Sequence, residues 1–132
     1  MSLAARTVRG PTPVAPALPE RSRHWSEPRV RRWLERRGWR TLGANVTSRH
    51  GELDLVMADG ATIVFVEVRQ RRSDAFGGAA ASLAAAKQAR VRRAAAVWLA
   101  ERALDESSVR FDAVLVRGGP ERARVKLVRD AF

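Results

Sequence analysis

The sequence predicts an α/β domain in which one mixed β-sheet is flanked by helices, with elements in the order αβββαββ. Three observations carry that prediction. Val30, Trp33 and Leu34 repeat at the i, i+3, i+4 spacing of an amphipathic helix. Two runs rich in β-formers, from Glu52 to Met57 and from Thr62 to Arg69, flank Asp59-Gly60, a strong short hairpin signal. A long Ala-rich stretch then separates this hairpin from two more strand-like runs, the sequence pattern of a helical crossover between parallel strands.

In chain order, residues 1–23 read as a basic, extended tail. Pro11, Pro13, Pro16 and Pro19 forbid a helix there, and Arg6, Arg9, Arg21 and Arg23 give it charge. The domain proper is expected over residues 24–132. Ser26 is the expected N-cap of the first helix, with Glu27 and Pro28 in the first turn, where the free N–H groups favour both. Gly38 is its expected stop. A first strand should follow from Trp39 to Val46, and then the hairpin. A loop with Phe76-Gly77-Gly78 leads to Ser82 as the N-cap of a helix running to about Ala103. Val109 to Val116 and Arg124 to Val128 are the last strands, joined by a turn at Gly118-Gly119-Pro120, and the crossover should be right-handed.

Composition narrows the chemistry. The chain has 132 residues, 25 Lys+Arg against 14 Asp+Glu, and a formal charge of +11. All the basic residues except Lys87 and Lys126 are Arg. Absence of Cys excludes disulfides, zinc knuckles and thiol nucleophiles, and absence of Tyr excludes a phosphotyrosyl intermediate. No apolar run has the ~20 residues of a membrane span, and no secretory h-region follows Arg6 and Arg9. The expectation is a cytoplasmic protein with a polyanionic partner, nucleic acid before a membrane surface. The helix arginines Arg29, Arg32, Arg36, Arg90 and Arg93, with Arg71 beyond the hairpin, are the candidate phosphate contacts.

The hairpin supplies the candidate chemistry. With Asp59-Gly60 as a two-residue loop, Ala58 faces Ala61, Glu52 faces Glu67 and Asp54 lies diagonal to Glu67. Glu52, Asp54, Glu67 and Arg69 then project from one face. Carboxylates crowded among apolar residues raise one another's pKa unless a cation neutralises them. A hard divalent ion such as Mg²⁺, or Mn²⁺ in its place, is the usual answer, and such an ion can activate water against a phosphodiester. The plainer alternative is acids at the open end of a hairpin, solvated or paired with Arg49, Arg69 and Arg71. Lys87 lies on the stripe of Val91, Ala94 and Trp98. It should reach the sheet to hold a phosphate or pair with these acids, or else snorkel into water. Asp112 is expected to be the structural partner of a neighbouring Arg.

Gly51-Glu52-Leu53-Asp54-Leu55-Val56, Val64-Phe65-Val66-Glu67-Val68-Arg69, Phe76-Gly77-Gly78, Lys87-Gln88, Arg110-Phe111-Asp112 and the closing Asp130-Ala131-Phe132 resemble the YraN family of bacterial proteins. The likeness covers residues 24–132. That family is similar to restriction-endonuclease-like and Holliday-junction-resolvase-like nucleases. The resemblance implies that Asp54 and Glu67 are metal-binding acids, with Glu27 and Glu52 assisting. It also implies that Arg69 stands where the motif has Lys. A guanidinium keeps the charge and offers a fork for phosphate, but it cannot deprotonate to act as a base. The expected function is Mg²⁺-dependent cleavage of structured or branched DNA, with Arg69 and Lys87 as catalytic cations. The alternative is a nucleic-acid-binding module that keeps the fold without the reaction. Cutting both strands of a junction would call for a homodimer.

Overall fold

The computed structural model describes residues 25–71, 84–104 and 108–132. The expected tail, the Phe76-Gly77-Gly78 loop and Ser82 lie outside the described residues. The elements are α1 (Ser26–Arg36), β1 (Arg40–Ser48), β2 (Gly51–Asp59), β3 (Thr62–Arg71), α2 (Ala85–Glu101), β4 (Val109–Arg117) and β5 (Arg124–Val128). The five strands form one mixed sheet in the order β1-β2-β3-β4-β5. Every neighbouring pair is antiparallel except β3 and β4, which run parallel across α2. This is the predicted αβββαββ order.

Alternation along the strands divides the core in two. Ile63 and Phe65 of β3 pack with Val56 of β2 beneath Val91, Ala94 and Trp98 of α2. Val64 and Val66 point the other way, and with Leu55, Met57, Val114 and Val116 they receive Val30 and Leu34 of α1. The helices therefore cover opposite faces of the sheet. The arginines of α1 and those of α2 lie on different layers. Among the described residues, no helix is long and apolar enough to cross a membrane.

Local details depart from expectation in three places. The N-cap of α1 is Trp25, and Ser26 sits buried inside the first turn. The other end behaves as predicted. Gly38, at φ 97°, lets its own N–H reach the Glu35 carbonyl at 3.0 Å and that of Trp39 reach Leu34 at 3.2 Å, the paired bonds of a Schellman stop.

The hairpin loop is the second departure. Asp59 pairs with Thr62 and Ala58 with Ile63, so the loop is Gly60-Ala61 and not Asp59-Gly60. Gly60, at φ 64°, supplies the positive φ that a II′-type hairpin wants at its first central position. The shift slides β3 by two residues against β2. That keeps the same faces together but changes who stands opposite whom.

The third departure lies where β2 leaves β3. Leu55 belongs to the α1-side core, yet Leu53 belongs to the α2-side core with Val56. Strict alternation would put residues 53 and 55 on one face, so it is broken at Asp54. β1 matches the break: Ala44 pairs with Leu55, Val46 with Leu53, and Asn45 between them has φ 52°.

Candidate active site

The break at Asp54 is where the acids meet. The last paired residues of the β2–β3 ladder are Leu55 and Val66, and one step beyond them lie Asp54 and Glu67. The corrected register thus sets these two acids across from each other, not on a diagonal. They are joined through the backbone. The Val68 N–H donates to Asp54 Oδ2 at 2.9 Å, and the Asp54 N–H donates to the Glu67 carboxylate. The two amides take over the strand pairing where the ladder ends, which fixes both side chains by main-chain geometry.

Glu67 is 3% exposed. Lys87 reaches it from the first turn of α2, with Nζ 3.3 Å from Oε1, and keeps 45% of its own side chain in solvent. Burial and the neighbouring Asp54 charge push the Glu67 carboxyl up to about 7, against the opposing pull of Lys87. Of the readings of Lys87, the structure shows pairing with an acid, Glu67. The ammonium caps the acid.

The other predicted residues are placed differently. Leu53, not Glu52, takes the α2-side position beside Asp54, so the broken alternation overturns the expected single face of Glu52, Asp54, Glu67 and Arg69. Glu27 sits half-buried in the first turn of α1, whose packed residues lie on the opposite face of the sheet. Among the described residues, no three or more His, Asp or Glu side chains gather into a group that could hold a metal ion. Asp54 and Glu67 fit a Mg²⁺-type ion nonetheless, because that ion takes one or two carboxylates and completes its shell with water and phosphate. They do not make a closed all-protein cage.

Arg69 is half-buried on β3, two residues past Glu67. Arg90 and Arg93 are exposed on α2, the layer that carries Lys87. Arg32 and Arg36 are exposed on α1, and Arg29 is half-buried, donating to the Pro120 carbonyl and stacking on Trp25. Arg71 ends β3. Asp112 is the structural acid that was expected: Arg110 Nε lies 3.0 and 3.1 Å from its two oxygens. Sequence reasoning missed the Val68 amide as the partner of Asp54, and no side-chain pattern could have shown it. The Asn45 kink opposite the acids does leave a trace, since Asn is among the few non-Gly residues that accept positive φ.

Known proteins resemble this chain over most of its length. A model described as "Uncharacterised protein family UPF0102" matches residues 26–116, from α1 to the end of the β4 core. A UPF0102 protein of Serratia proteamaculans is 58% identical over 94 residues, covering 70% of this chain and 80% of the relative. A UPF0102 protein YraN of Escherichia coli is 46% identical over 108 residues, covering 80% of this chain and 79% of the relative. With its Asp54 and Glu67 strands inside the matched span, the chain belongs to the UPF0102 family, that of the YraN proteins.

Proposed function

We propose that this protein is a Mg²⁺-dependent endonuclease that hydrolyses a phosphodiester in structured or branched DNA. One observation carries the reading: Asp54 and Lys87 converge on a buried Glu67. Two acids this close cost stability unless cations offset their charge, and Lys87 alone leaves Glu67 raised to about 7. Acids perturbed in this way cluster at functional sites, where a cation would offset them.

In this reading Asp54 and Glu67 hold the ion. When bound, Mg²⁺ or Mn²⁺ supplies Lewis-acid chemistry, polarising a phosphoryl oxygen and making attack by water easier. The Val68 amide keeps the Asp54 carboxylate aimed, and Lys87 favours the charged form of Glu67 against burial. Lys87, with nearly half of its side chain in solvent, can also meet a phosphate oxygen as negative charge builds there. Arg69 adds a permanent positive charge and takes no proton. Arg90 and Arg93 grip phosphates of the same strand. Arg32 and Arg36, across the sheet, meet only a DNA arm that passes around it.

Asp54→Asn and Glu67→Gln should abolish cleavage of junction, flap and nicked substrates in Mg²⁺, with DNA affinity equal or tighter because negative charge is removed. Equal cleavage by wild type and both variants would falsify the reading. The second reading, a binding module without the reaction, draws on Arg69 in place of Lys and on Lys87 already seated on Glu67. It requires binding that falls steeply with salt and ignores both Mg²⁺ and Asp54→Asn.

A further inference from the structure

Arg110-Phe111-Asp112 and Asp130-Ala131-Phe132, far apart in sequence, meet at one groove that the proposed reaction does not use. It is a cavity of about 330 Å³ between α2 and the start of β4, lined by Arg92, Leu99, Val109, Phe111, Asp130 and Phe132 among others. We infer that this groove holds one unpaired nucleobase, so that the protein engages nucleic acid with a nucleotide out of the duplex stack. The inference deepens the nuclease reading by naming what marks its substrate.

The walls are stacked for a planar guest. Phe65, buried in the core, lies under Phe111 with ring centroids 5.4 Å apart and an interplanar angle of 23°. The Arg92 guanidinium sits 4.5 Å from the Phe111 centroid, and Phe132 leans on the same ring at 5.3 Å. This column of planar groups runs from the interior to an exposed arginine. Guanidinium planes and aromatic rings are the surfaces on which unpaired bases stack. The volume lies at the lower end for small-ligand pockets, which suits a base with its sugar better than a dinucleotide.

The rim is equally fixed. The Asp130 N–H donates to the buried Asp112 Oδ1 at 3.0 Å, and the Ala131 N–H donates to the Phe111 carbonyl at 2.8 Å. These bonds seat Phe132 and hold Asp130 in a left-handed conformation at φ 51°. An exposed carboxylate there can accept from the N–H groups on a base edge. Arg93, exposed on α2 one residue after Arg92, can neutralise a flanking phosphate. Arg92 lies five residues beyond Lys87 on α2, about 7.5 Å along the axis, or about two duplex base steps. Five residues also turn the helix by about 140°, so the groove opens on a different flank of α2 from the one that carries Lys87 to Glu67.

The test compares a labelled single-stranded oligodeoxynucleotide with the same strand made fully abasic, by fluorescence anisotropy in EDTA. Wild type should bind the base-bearing strand on the order of tenfold more tightly. Arg92→Lys keeps the charge and loses the plane, so the ratio should fall toward one. Arg93→Ala should weaken both strands alike and leave the ratio intact. Equal binding of the two strands, no binding of either, or an unchanged ratio in Arg92→Lys each overturns the inference. Neither cleavage nor metal enters the measurement, so a failed nuclease reading leaves the ratio standing, and the Glu67→Gln protein should show it too.

Discussion

Asp112 and Glu67 are both buried on neighbouring parallel strands, at 0% and 3% exposure, yet the fold serves them very differently. Asp112 receives Arg110 Nε on both oxygens and the Asp130 N–H on one. Arg110 passes on to Asp59 at 3.2 Å and lies 5.5 Å from the Trp39 ring centroid. Its partners hold the Arg110 guanidinium above the usual range despite partial burial. Glu67 has a half-exposed Lys87 and a second acid beside it, and its carboxyl is pushed up to about 7. The first cluster is electrostatically closed and fastens the hairpin turn, β4 and the C-terminal residues together. The second is left short of positive charge. The closed acid fastens the structure, and the open one is the group that the proposed cation would meet.

The sharpest way to break this comparison is to remove the closed acid. Asp112→Ala would strip Arg110 of its bidentate partner and leave the Asp130 amide unmet. Removing one member of a buried pair costs about 3–5 kcal/mol, which equilibrium denaturation in urea should record as a lower midpoint. A loss below ~1 kcal/mol would mean that Asp59 alone satisfies Arg110, and the distinction between the clusters would fail.

Removing the open acid should act in the opposite direction. The Glu67 carboxyl lies at about 7 in the folded chain against 4.5 for the free group, so the folded state binds the proton more tightly. Stability from this group is therefore full below pH 4.5 and is lost as pH rises toward 7, by on the order of 3 kcal/mol. Glu67→Gln should flatten that stretch of the stability–pH curve and make the protein more stable than wild type at pH 8. A variant that is less stable at pH 8 would show that the charged carboxylate is well accommodated.

The contrast also explains how much was legible in the sequence. Strands and helices were, because alternation from Ile63 to Val66 and the stripe of Val30 and Leu34 report burial directly. Asp54, Glu67 and Lys87 were also legible, since acids within apolar strands and a lysine on a buried stripe are conspicuous. The register was not. Asp59-Gly60 and Gly60-Ala61 both place a glycine in the turn, and only the sign of φ wanted at each loop position separates them. Glu52 was misplaced for a related reason: strict alternation held to within one residue of Asp54, and the kink at Asn45 lies on a different strand. The groove at Arg92 joins residues from α2, β4 and the last three positions, and no local pattern links those.

Lys87 gives the smallest stability effect and the finest test of the open cluster. Its side chain is nearly half in solvent, so the Glu67 ion pair is worth at most about 1 kcal/mol after screening, and Lys87→Met should change the urea midpoint little. The proton affinity of Glu67 should respond more. Lys87 is the cation that lowers its pKa, so without it the acid rises further and the loss of stability, which still begins near pH 4.5, extends to higher pH. Lys87→Arg, which restores the charge, should bring the profile back. If cleavage is abolished in Lys87→Met and recovered in Lys87→Arg while the fold is unchanged, the cation at Glu67 comes from the helix. Full cleavage in Lys87→Met would assign that role to Arg69 on β3 instead.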